Sequence, residues 1–293
     1  MTVQYPVLII RGGIFGEVLD DVRECVSDMK AKHLFVVIES GGGIPSDGYR
    51  IARLLQSKFD RITCLVPAEA YSTATLIALG CDEIYMHKSA CLGPLDTQIP
   101  HPNDGGMISS LEIRDTLNTL AGFTRTYAQS FSDMFDESRS MQIGKKDAVE
   151  LAMKSAVELV RPIVEKIDPI NLQKSSRSSR IGQKYAENLL RARMMRDNPK
   201  LAEQVSIYLA NYYDYHGYAI VLEEAISPLS LNAHDLADLN EWSEISKIYE
   251  KSPKIGVQID NFYVAVDEPE QPKKPQTETK QTPKVDKKKE GGK

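Results

Sequence analysis

Residues 33–55, HLFVVIESGGGIPSDGYRIARLL, decide the fold of this chain. An unbroken apolar run ends in three consecutive glycines, and apolar residues then recur at helical spacing. A strand that is apolar on both faces, followed by a tight turn and a helix, is typical of a parallel sheet covered by helices. Residues 61–79, RITCLVPAEAYSTATLIAL, repeat this order, with Ser72 at the turn before the helix. The two stretches together predict an α/β domain.

The flanking sequence extends the alternation of strands and helices. The run PVLII at 6–10 predicts a strand, and GEVLDDVRECVSDMKA at 16–31 predicts an amphipathic helix. We expect Ser46 or Asp47 to cap the helix that follows the glycines. The run HGYAIVL at 216–222 predicts a late strand.

The middle of the chain predicts a helical elaboration of the domain, over about residues 108–213. Helical patterns recur there at about residues 108–136, 145–167, 174–195 and 199–213. We therefore predict one domain over residues 1–266. Residues 267–293 hold eight lysines, four prolines and six acids but one large aliphatic residue. Such a segment cannot bury enough apolar area to offset the entropy of ordering it, so we predict a disordered Lys/Pro-rich tail.

Composition excludes several classes of protein. Hydrophobic residues make up 42% and charged residues 26%, and the formal net charge is −5, which excludes a collagen, a wholly disordered chain and a basic nucleic-acid binder. The longest apolar runs are far shorter than the ~18 residues of a membrane span, and the first residues lack the features of a signal peptide. The four cysteines form no C-x-x-C pair, which favours reduced thiols in a cytoplasmic protein and predicts no metal site and no cofactor.

The two turns stand where open α/β sheets bind their ligands, at the carboxyl ends of strands. The glycines at 41–43 allow backbone N–H groups to face outward, and Ser72 lies between the small residues Ala70 and Ala74. A serine on such a turn exposes its hydroxyl beside the amide that follows it, so the pair of turns offers a nucleophile and donors for an oxyanion. Each signal alone is weak, because a glycine turn is often a phosphate cradle and a serine at a helix start is usually an N-cap.

Residues 33–99 resemble the core of the Clp-fold serine peptidases, which include the Clp protease proteolytic subunit and signal-peptide peptidase A. In the Clp subunit a Ser-Pro-Gly-Gly turn supplies an oxyanion amide, and an Ala-Ala-Ser elbow supplies the nucleophile. Ser40–Gly43 and Ser72 match these two motifs at the same interval. The resemblance implies that Ser72 is the nucleophile and that the amides of Gly43 and Thr73 form the oxyanion hole, with Gly42 in the same substrate-binding turn.

The serine dehydrogenase proteinase family, a branch of this superfamily, resembles the chain more closely. Ser72–Thr75, Ala78–Ile84 and Leu92–Gln98 are similar to three of its segments, and YDYHGYAIVLEEA at 213–225 is similar to a late one. The resemblance covers roughly residues 3–235. It implies a Clp/crotonase-type spiral of ββα units with additional C-terminal helices, usually assembled into homo-oligomers, that acts on polypeptide substrates.

The general base is the point at which the sequence departs from these relatives. Clp subunits take it from a histidine on the loop after the serine, where this chain has Asp96, and there is no lysine between Lys88 and Lys145 for a Ser–Lys dyad. His216 is the candidate base and Asp96 the candidate orienting carboxylate. Two other histidines, His87 and His101, are expected to be solvent-exposed. Four later lysines are expected on solvated helical faces: Lys145, Lys146, Lys174 and Lys184.

Three functions stay open at this stage. The first is a serine peptidase that acts through an acyl-enzyme. The second is a catalytically silent Clp-fold protein that binds peptides or assembles with partners, because the usual His or Lys base is missing. The third is an acyl-CoA enzyme of the crotonase type, which is weaker because an elbow serine has no required role there.

Overall fold

The computed structural model describes residues 2–96, 98–100, 107–137, 144–213 and 215–265. Its strands are β1 (Thr2–Arg11), β2 (His33–Glu39), β3 (Arg61–Val66), β4 (Glu69–Ala70), β5 (Glu83–Met86), β6 (Cys91–Leu92), β7 (Gln98–Pro100), β8 (Met107–Ser109), β9 (Ala233–Asp235) and β10 (Gly256–Ala265). Its α-helices are α1 (Gly16–Val26), α2 (Pro45–Lys58), α3 (Thr73–Leu79), α4 (Ser110–Glu137), α5 (Lys145–Val164), α6 (Pro169–Ala192), α7 (Pro199–Asn211), α8 (Leu222–Ile226) and α9 (Trp242–Lys251).

The main sheet has the strand order β10–β1–β2–β3–β5–β9 among the described residues. Its neighbouring strands are parallel except for β10, which pairs antiparallel with β1 at one edge. The short strands β4 and β6 form a second, parallel pair that follows β3 and β5. The succession β3, β4, α3 and then β5, β6 is the strand–strand–helix repeat that the resemblance implies, so the predicted α/β fold of ββα units is confirmed.

The sheet is apolar on both faces because helices cover both of them. Leu8 and Ile10 of β1 pack in the larger core with α1, α2 and α3, while Val7 and Ile9 pack on the other face. The smaller core on that face includes Ile245 of α9. Burial on both faces explains why the deciding strands are unbroken apolar runs rather than alternating ones.

Two local predictions about this part of the chain are wrong. Helix α2 has Ile44 at its N-cap and Pro45 at the first helical position, so neither Ser46 nor Asp47 caps it. Proline is favoured at that position because its φ is already helical and its missing N–H is not needed there. The run at 216–222 forms no strand beyond a single bridge, in which Ile220 pairs with Leu92.

The predicted helices in the middle of the chain are present, and the largest shift of a boundary is at the start of α6. Helix α6 begins at Pro169 rather than near residue 174, because Asp168 caps it by accepting a hydrogen bond from the Ile170 N–H at 2.8 Å. Helix α4 packs on α5 and α6, and α6 packs on α7. None of the described helices is long and apolar enough to cross a bilayer. The predicted tail at 267–293 lies outside the described residues.

Candidate active site

Ser72 lies on a sharp turn between β4 and α3. Its φ is 53° and its ψ is −110°, a conformation that costs a non-glycine residue on the order of 1–3 kcal/mol. The flanking Ala70 and Ala74 are fully buried, so packing holds the turn on both sides. Although Ser72 occupies the N-cap position, its side chain does not cap the helix, and the Oγ makes no hydrogen bond within the described ranges. The hydroxyl is therefore available for chemistry.

The glycine turn after β2 lies directly against this elbow. The Tyr71 N–H donates to the Ser40 carbonyl at 2.9 Å, which ties the two loops together. A Cβ added to Gly42 would lie 3.0 Å from the Cβ of Ser72 and 3.6 Å from its Oγ. Since φ of Gly42 is also +107°, only glycine allows this close approach of backbone to hydroxyl.

Gly43 is fixed by its pairing with Ile14. The Ile14 N–H donates to the Gly42 carbonyl and the Ile14 carbonyl accepts from the Ile44 N–H, both at 2.9 Å. This pairing uses the peptide groups on either side of Gly43 and leaves the N–H and C=O of Gly43 itself on the opposite side. That C=O accepts a hydrogen bond from Thr73 Oγ1 at 2.8 Å, so the opposite side of Gly43 faces the start of α3.

Two backbone N–H groups in the glycine turn and at the start of α3 have no acceptor among the described residues. Within the part of the chain that the structure describes, neither the Gly43 N–H nor the Thr73 N–H donates a hydrogen bond. Thr73 is the first residue of α3, and such an N–H has no partner inside its own helix. The Gly42 N–H, in contrast, donates to Ser40 Oγ at 3.0 Å. The amide of Gly42 is therefore occupied by Ser40, and the place of Gly42 in the substrate-binding turn stays a prediction.

His216 and Asp96, far apart in the sequence, form a hydrogen-bonded pair. His216 Nδ1 lies 2.8 Å from Asp96 Oδ1, and the side chains are 20% and 1% exposed, respectively. The second carboxylate oxygen of Asp96 accepts a hydrogen bond from Ser109 Oγ at 2.6 Å. A carboxylate on Nδ1 fixes the tautomer that carries its proton there and leaves Nε2 as the basic nitrogen.

The loop that carries Asp96 is bonded to the elbow. Thr75 Oγ1, one turn into α3, bonds to the carbonyls of Ala70 at 2.6 Å and Gly93 at 2.9 Å. A Cβ on Gly93 would lie 2.3 Å from the ring of Tyr71, so the loop runs along the residue before Ser72. On its other side, Leu92 exchanges two hydrogen bonds of 2.9 Å with Ile220. These contacts bring the segment of His216 to the elbow, but no hydrogen bond joins Ser72 Oγ to His216 in the described chain.

The other candidate bases whose side chains the structure describes do not lie in this arrangement. His87 is exposed and its Nδ1 is 2.8 Å from Ser89 Oγ, while His101 lies outside the described residues. Lys184 forms an ion pair with Glu187 at 3.0 Å, and Lys146 and Lys174 are exposed. Among the side chains that the structure describes, His216 is thus the basic group bonded to the loop beside Ser72.

Two tyrosines near the site are held neutral. The hydrogen bond with Cys91, whose Sγ is 3.3 Å from the phenolic oxygen, and burial raise the pKa of Tyr71 to about 12. Burial and the hydrogen bond to Glu224, at 2.9 Å, raise the pKa of Tyr213. Neither phenol therefore competes with an imidazole as a base near neutral pH.

No group of three or more His, Cys, Asp or Glu side chains with metal-binding geometry occurs among the described residues. The four cysteines are free thiols, and Cys64 and Cys81 are buried.

Two residues with contacts in the site, Ser109 and Thr75, were not found by sequence reasoning. Thr75 is part of the similar Ser72–Thr75 segment, whereas Ser109 carries no local signal.

Comparison with known proteins gives the following relatives. Residues 14–119 match the family model described as ClpP-like SDH-type serine proteinase. Two uncharacterised proteins of Methanocaldococcus jannaschii are similar. MJ1495 is 27% identical over 143 residues, which cover 47% of this chain and 48% of that protein. MJ0137 is 35% identical over 83 residues, which cover 28% of each chain. The matched part thus spans about half or less of these curated relatives.

Solved structures of two peptidases are also similar. The 1510-N membrane-bound stomatin-specific protease is 19% identical with a TM-score of 0.33, covering 51% of this chain and 72% of that one. ClpP1 from Listeria monocytogenes is 15% identical with a TM-score of 0.27, covering 30% and 54%. The family match supports a serine peptidase. The stretch that holds the glycine turn, the elbow, Asp96 and Ser109, residues 14–119, matches the ClpP-like SDH-type serine proteinases, and the resemblance found in the sequence is thereby confirmed.

Proposed function

We propose that this protein is a serine peptidase that cleaves polypeptides through an acyl-enzyme on Ser72. One observation carries the proposal: the Oγ of a strained elbow serine is unbonded, and the two adjoining turns hold two unbonded backbone N–H groups, those of Gly43 and Thr73. These are the nucleophile and the oxyanion donors that acyl transfer needs. The match of residues 14–119 to a serine proteinase family supports the same reading.

In the proposed reaction, Ser72 is the nucleophile and His216 is the general base. His216 Nε2 takes the proton of Ser72 Oγ as the oxygen attacks the carbonyl carbon of the scissile bond, and the Gly43 and Thr73 amides stabilise the oxyanion. The C–N bond then breaks, and the imidazolium returns its proton to the leaving amine. Water, activated by the same imidazole, releases the acyl group. Asp96 holds His216 in the required tautomer through the 2.8 Å bond to Nδ1.

Substrate binding must also bring the proposed nucleophile and the proposed base together. Ser72 Oγ and His216 are not hydrogen-bonded in the described residues, so the bound peptide must bring Nε2 to about 3 Å from Oγ, the distance that proton transfer requires. His216 lies on a turn, and its side chain is 20% exposed. An extended peptide beside the glycine turn can contact both loops, because backbone pairing along an exposed edge is a common mode of peptide recognition.

A fluorophosphonate probe tests the proposal, because it reacts with activated serines. We expect one adduct, mapped by mass spectrometry to Ser72, and no adduct in Ser72→Ala. Ser89→Ala is the matched control, since Ser89 is exposed and hydrogen-bonded to His87 rather than to the elbow. An adduct that persists in Ser72→Ala would exclude Ser72 as the nucleophile.

The missing hydrogen bond also favours a second candidate, a catalytically silent Clp-fold protein that binds peptides. In that case the wild-type protein binds an unfolded polypeptide with an affinity that Ser72→Ala does not change, and it takes up no probe. Cleavage of the polypeptide that depends on Ser72 would reject this alternative.

We further propose that the protein is a homo-oligomer that associates through α5. Helix α5 packs on α4, and its buried residues recur at intervals of four: Ala148, Ala152, Ala156 and Val160. Its other large apolar side chains are 43–52% exposed: Val149, Leu151, Met153, Val157, Leu159, Ile163 and Val164. So much exposed apolar surface on one helix indicates a protein contact.

The charges of α5 favour a second copy of the chain as the partner. The ion pairs Glu150–Lys154 and Glu158–Arg161 alternate in sign along the helix. A second α5 in antiparallel orientation would therefore set opposite charges against each other, as closed twofold symmetry permits. Light scattering tests this: Val157→Glu should give a monomer, while Ser243→Glu, on the exposed start of α9, should keep the oligomer. A wild-type protein that is monomeric at high concentration would reject it.

We also propose that the protein works in the cytoplasm. The support is that none of its four cysteines, all in the described chain, is paired in a disulfide, as is usual in a reducing compartment. Localisation of the tagged protein by cell fractionation checks this proposal.

A further inference from the structure

The carboxylate of Asp96 is almost completely buried and has two hydrogen-bond partners. Oδ1 bonds to His216 Nδ1 at 2.8 Å, and Oδ2 accepts from Ser109 Oγ at 2.6 Å. The Asp96 side chain is 1% exposed and Ser109 is 7% exposed, so water cannot easily replace either partner. An ionised carboxylate is only an acceptor, which means that the Ser109 hydroxyl must give its single proton to this bond.

Ser109 reaches Asp96 from a different part of the fold than the histidine. It is the last residue of β8 and stands directly before α4. Its backbone N–H donates to Glu112 Oε1 at 3.4 Å, a weak bond between the first turn of α4 and the residue before it. The hydroxyl is thus held at the junction of β8 and α4, and it bonds to the carboxylate oxygen that His216 does not contact.

The hydrogen bond from Ser109 restricts the rotation of the Asp96 carboxylate, which the hydrogen bond to the imidazole alone does not prevent. A carboxylate can rotate about its Cβ–Cγ bond, and rotation would move Oδ1 away from His216 Nδ1. A charge-assisted hydrogen bond to Oδ2 opposes this rotation, because such bonds are short and directional. A buried carboxylate that lost this donor would keep one oxygen without a partner and would turn toward whichever donor is nearest.

We propose that Ser109 is a positioning residue of the active site: it orients Asp96 so that His216 keeps Nε2 directed at the elbow. The inference rests on the proposed function, in which His216 is the base. Ser109 touches neither substrate nor the reacting atoms and acts only through Asp96. The network from nucleophile to hairpin is then Ser72, His216, Asp96 and Ser109.

The rate of fluorophosphonate labelling at Ser72 tests this inference. Ser109→Ala should label about tenfold more slowly, which is the rate equivalent of one hydrogen bond to a charged group. Ser109→Thr keeps the hydroxyl and should restore most of the rate. Thermal unfolding of each variant provides the check that equal amounts of folded protein are compared.

A double-mutant cycle separates positioning from a merely structural role. If Ser109 acts only through His216, Ser109→Ala should have no further effect on labelling in a His216→Ala background. A structural role would slow labelling by the same factor in both backgrounds, and that outcome would overturn the inference. If instead the wild type is not labelled at all, the proposed function fails, and a measurement without activity decides on Ser109.

That measurement is the NMR signal of the Nδ1 proton between His216 and Asp96, assigned by its loss in His216→Ala. We expect the signal in the wild type and in Ser109→Thr, and its shift or loss by exchange with water in Ser109→Ala. A signal that is unchanged in Ser109→Ala would contradict the inference whether or not the protein is a peptidase.

Discussion

The residue types of two histidine-centred hydrogen-bond clusters in the described chain are nearly the same. At the amino ends of β2, β3 and β5, His33 Nε2 is 2.9 Å from Thr63 Oγ1, which donates to Glu83 Oε1 at 2.7 Å. Beside the elbow, His216 bonds to Asp96, which bonds to Ser109. We refer to the first as the amino-end cluster (His33, Thr63, Glu83) and to the second as the elbow cluster (His216, Asp96, Ser109).

The two clusters differ in which ring nitrogen is bonded and in what surrounds the histidine. In the amino-end cluster the hydroxyl of Thr63 is buried, and Glu83 is also paired with Arg61 at 2.6 Å. Burial lowers the pKa of His33 to about 4, so the ring is neutral near pH 7. In the elbow cluster the histidine bonds through Nδ1, and Nε2 has no partner within the described chain. Under the proposed function, the elbow cluster is the reactive one because its histidine belongs to the segment that the loop of Asp96 joins to the elbow of Ser72.

Exchanging each histidine for glutamine tests the difference between the two clusters with the largest expected effect. We expect His216→Gln to slow labelling of Ser72 by about 10²–10⁴-fold, since an amide cannot act as a general base. His33→Gln should leave the labelling rate unchanged and lower the free energy of unfolding by about 1–2 kcal/mol, because a buried hydrogen bond is disturbed. Labelling kinetics and urea denaturation measure the two effects. Equal loss of labelling in both variants would remove the distinction between the clusters.

A pair of glycine substitutions sharpens the assignment of the oxyanion donors. Gly43→Ala should slow labelling by about 10²–10³-fold, the usual cost of one lost oxyanion donor, because its Cβ would lie 2.0 Å from the Ile14 carbonyl oxygen and displace the turn. Gly41→Ala is the matched control, since a Cβ there meets nothing within 4 Å. Labelling rates of the two folded variants provide the measurement, and similar rates would refute the role given to Gly43.

The smallest effect is on the pH dependence of stability. The pKa of His33 is lowered from 6.5 to about 4 in the folded protein, so between these pH values the unfolded chain binds more protons than the folded one. Stability from this group is thus complete above pH 6.5 and is lost as the pH falls to about 4. After discounting for solvent screening, the loss is about 1–2 kcal/mol.

Urea denaturation at pH 7 and near pH 4.5 checks this, with His33→Gln as the reference. The wild type should lose more stability than the variant over this interval, because only the wild type has the ring. An identical loss in both proteins would show that other groups account for the acid sensitivity.

The sequence predicted the elements whose causes are local. The strands at 33–39 and 61–66 have the predicted bounds because unbroken apolar runs between turns allow little choice of register. Capping side chains favour a start of α2 at Ser46 or Asp47, but the preference of Pro45 for the first helical position decides the boundary.

The site was predictable only in part, because some of its contacts join distant parts of the sequence. Ser72 and the glycine turn stand out because a tight turn constrains residue type locally. His216 and Asp96 are 120 residues apart, and residue pattern alone could offer them only as separate candidates. Ser109 could not be predicted, because its contact with Asp96 depends on how the β7–β8 hairpin and α4 pack. A single serine in the sequence does not indicate such packing.

The central claim is that Ser72 Oγ, facing the amides of Gly43 and Thr73, attacks an acyl carbon. The most direct measurement is to react the protein with a peptide p-nitrophenyl ester, quench it in acid within the first turnover, and locate the acyl group by tandem mass spectrometry. Our account predicts the acyl group on Ser72 in the wild type and none in Ser72→Ala. An acyl group on another residue of the wild type, or one that persists in Ser72→Ala, would contradict it.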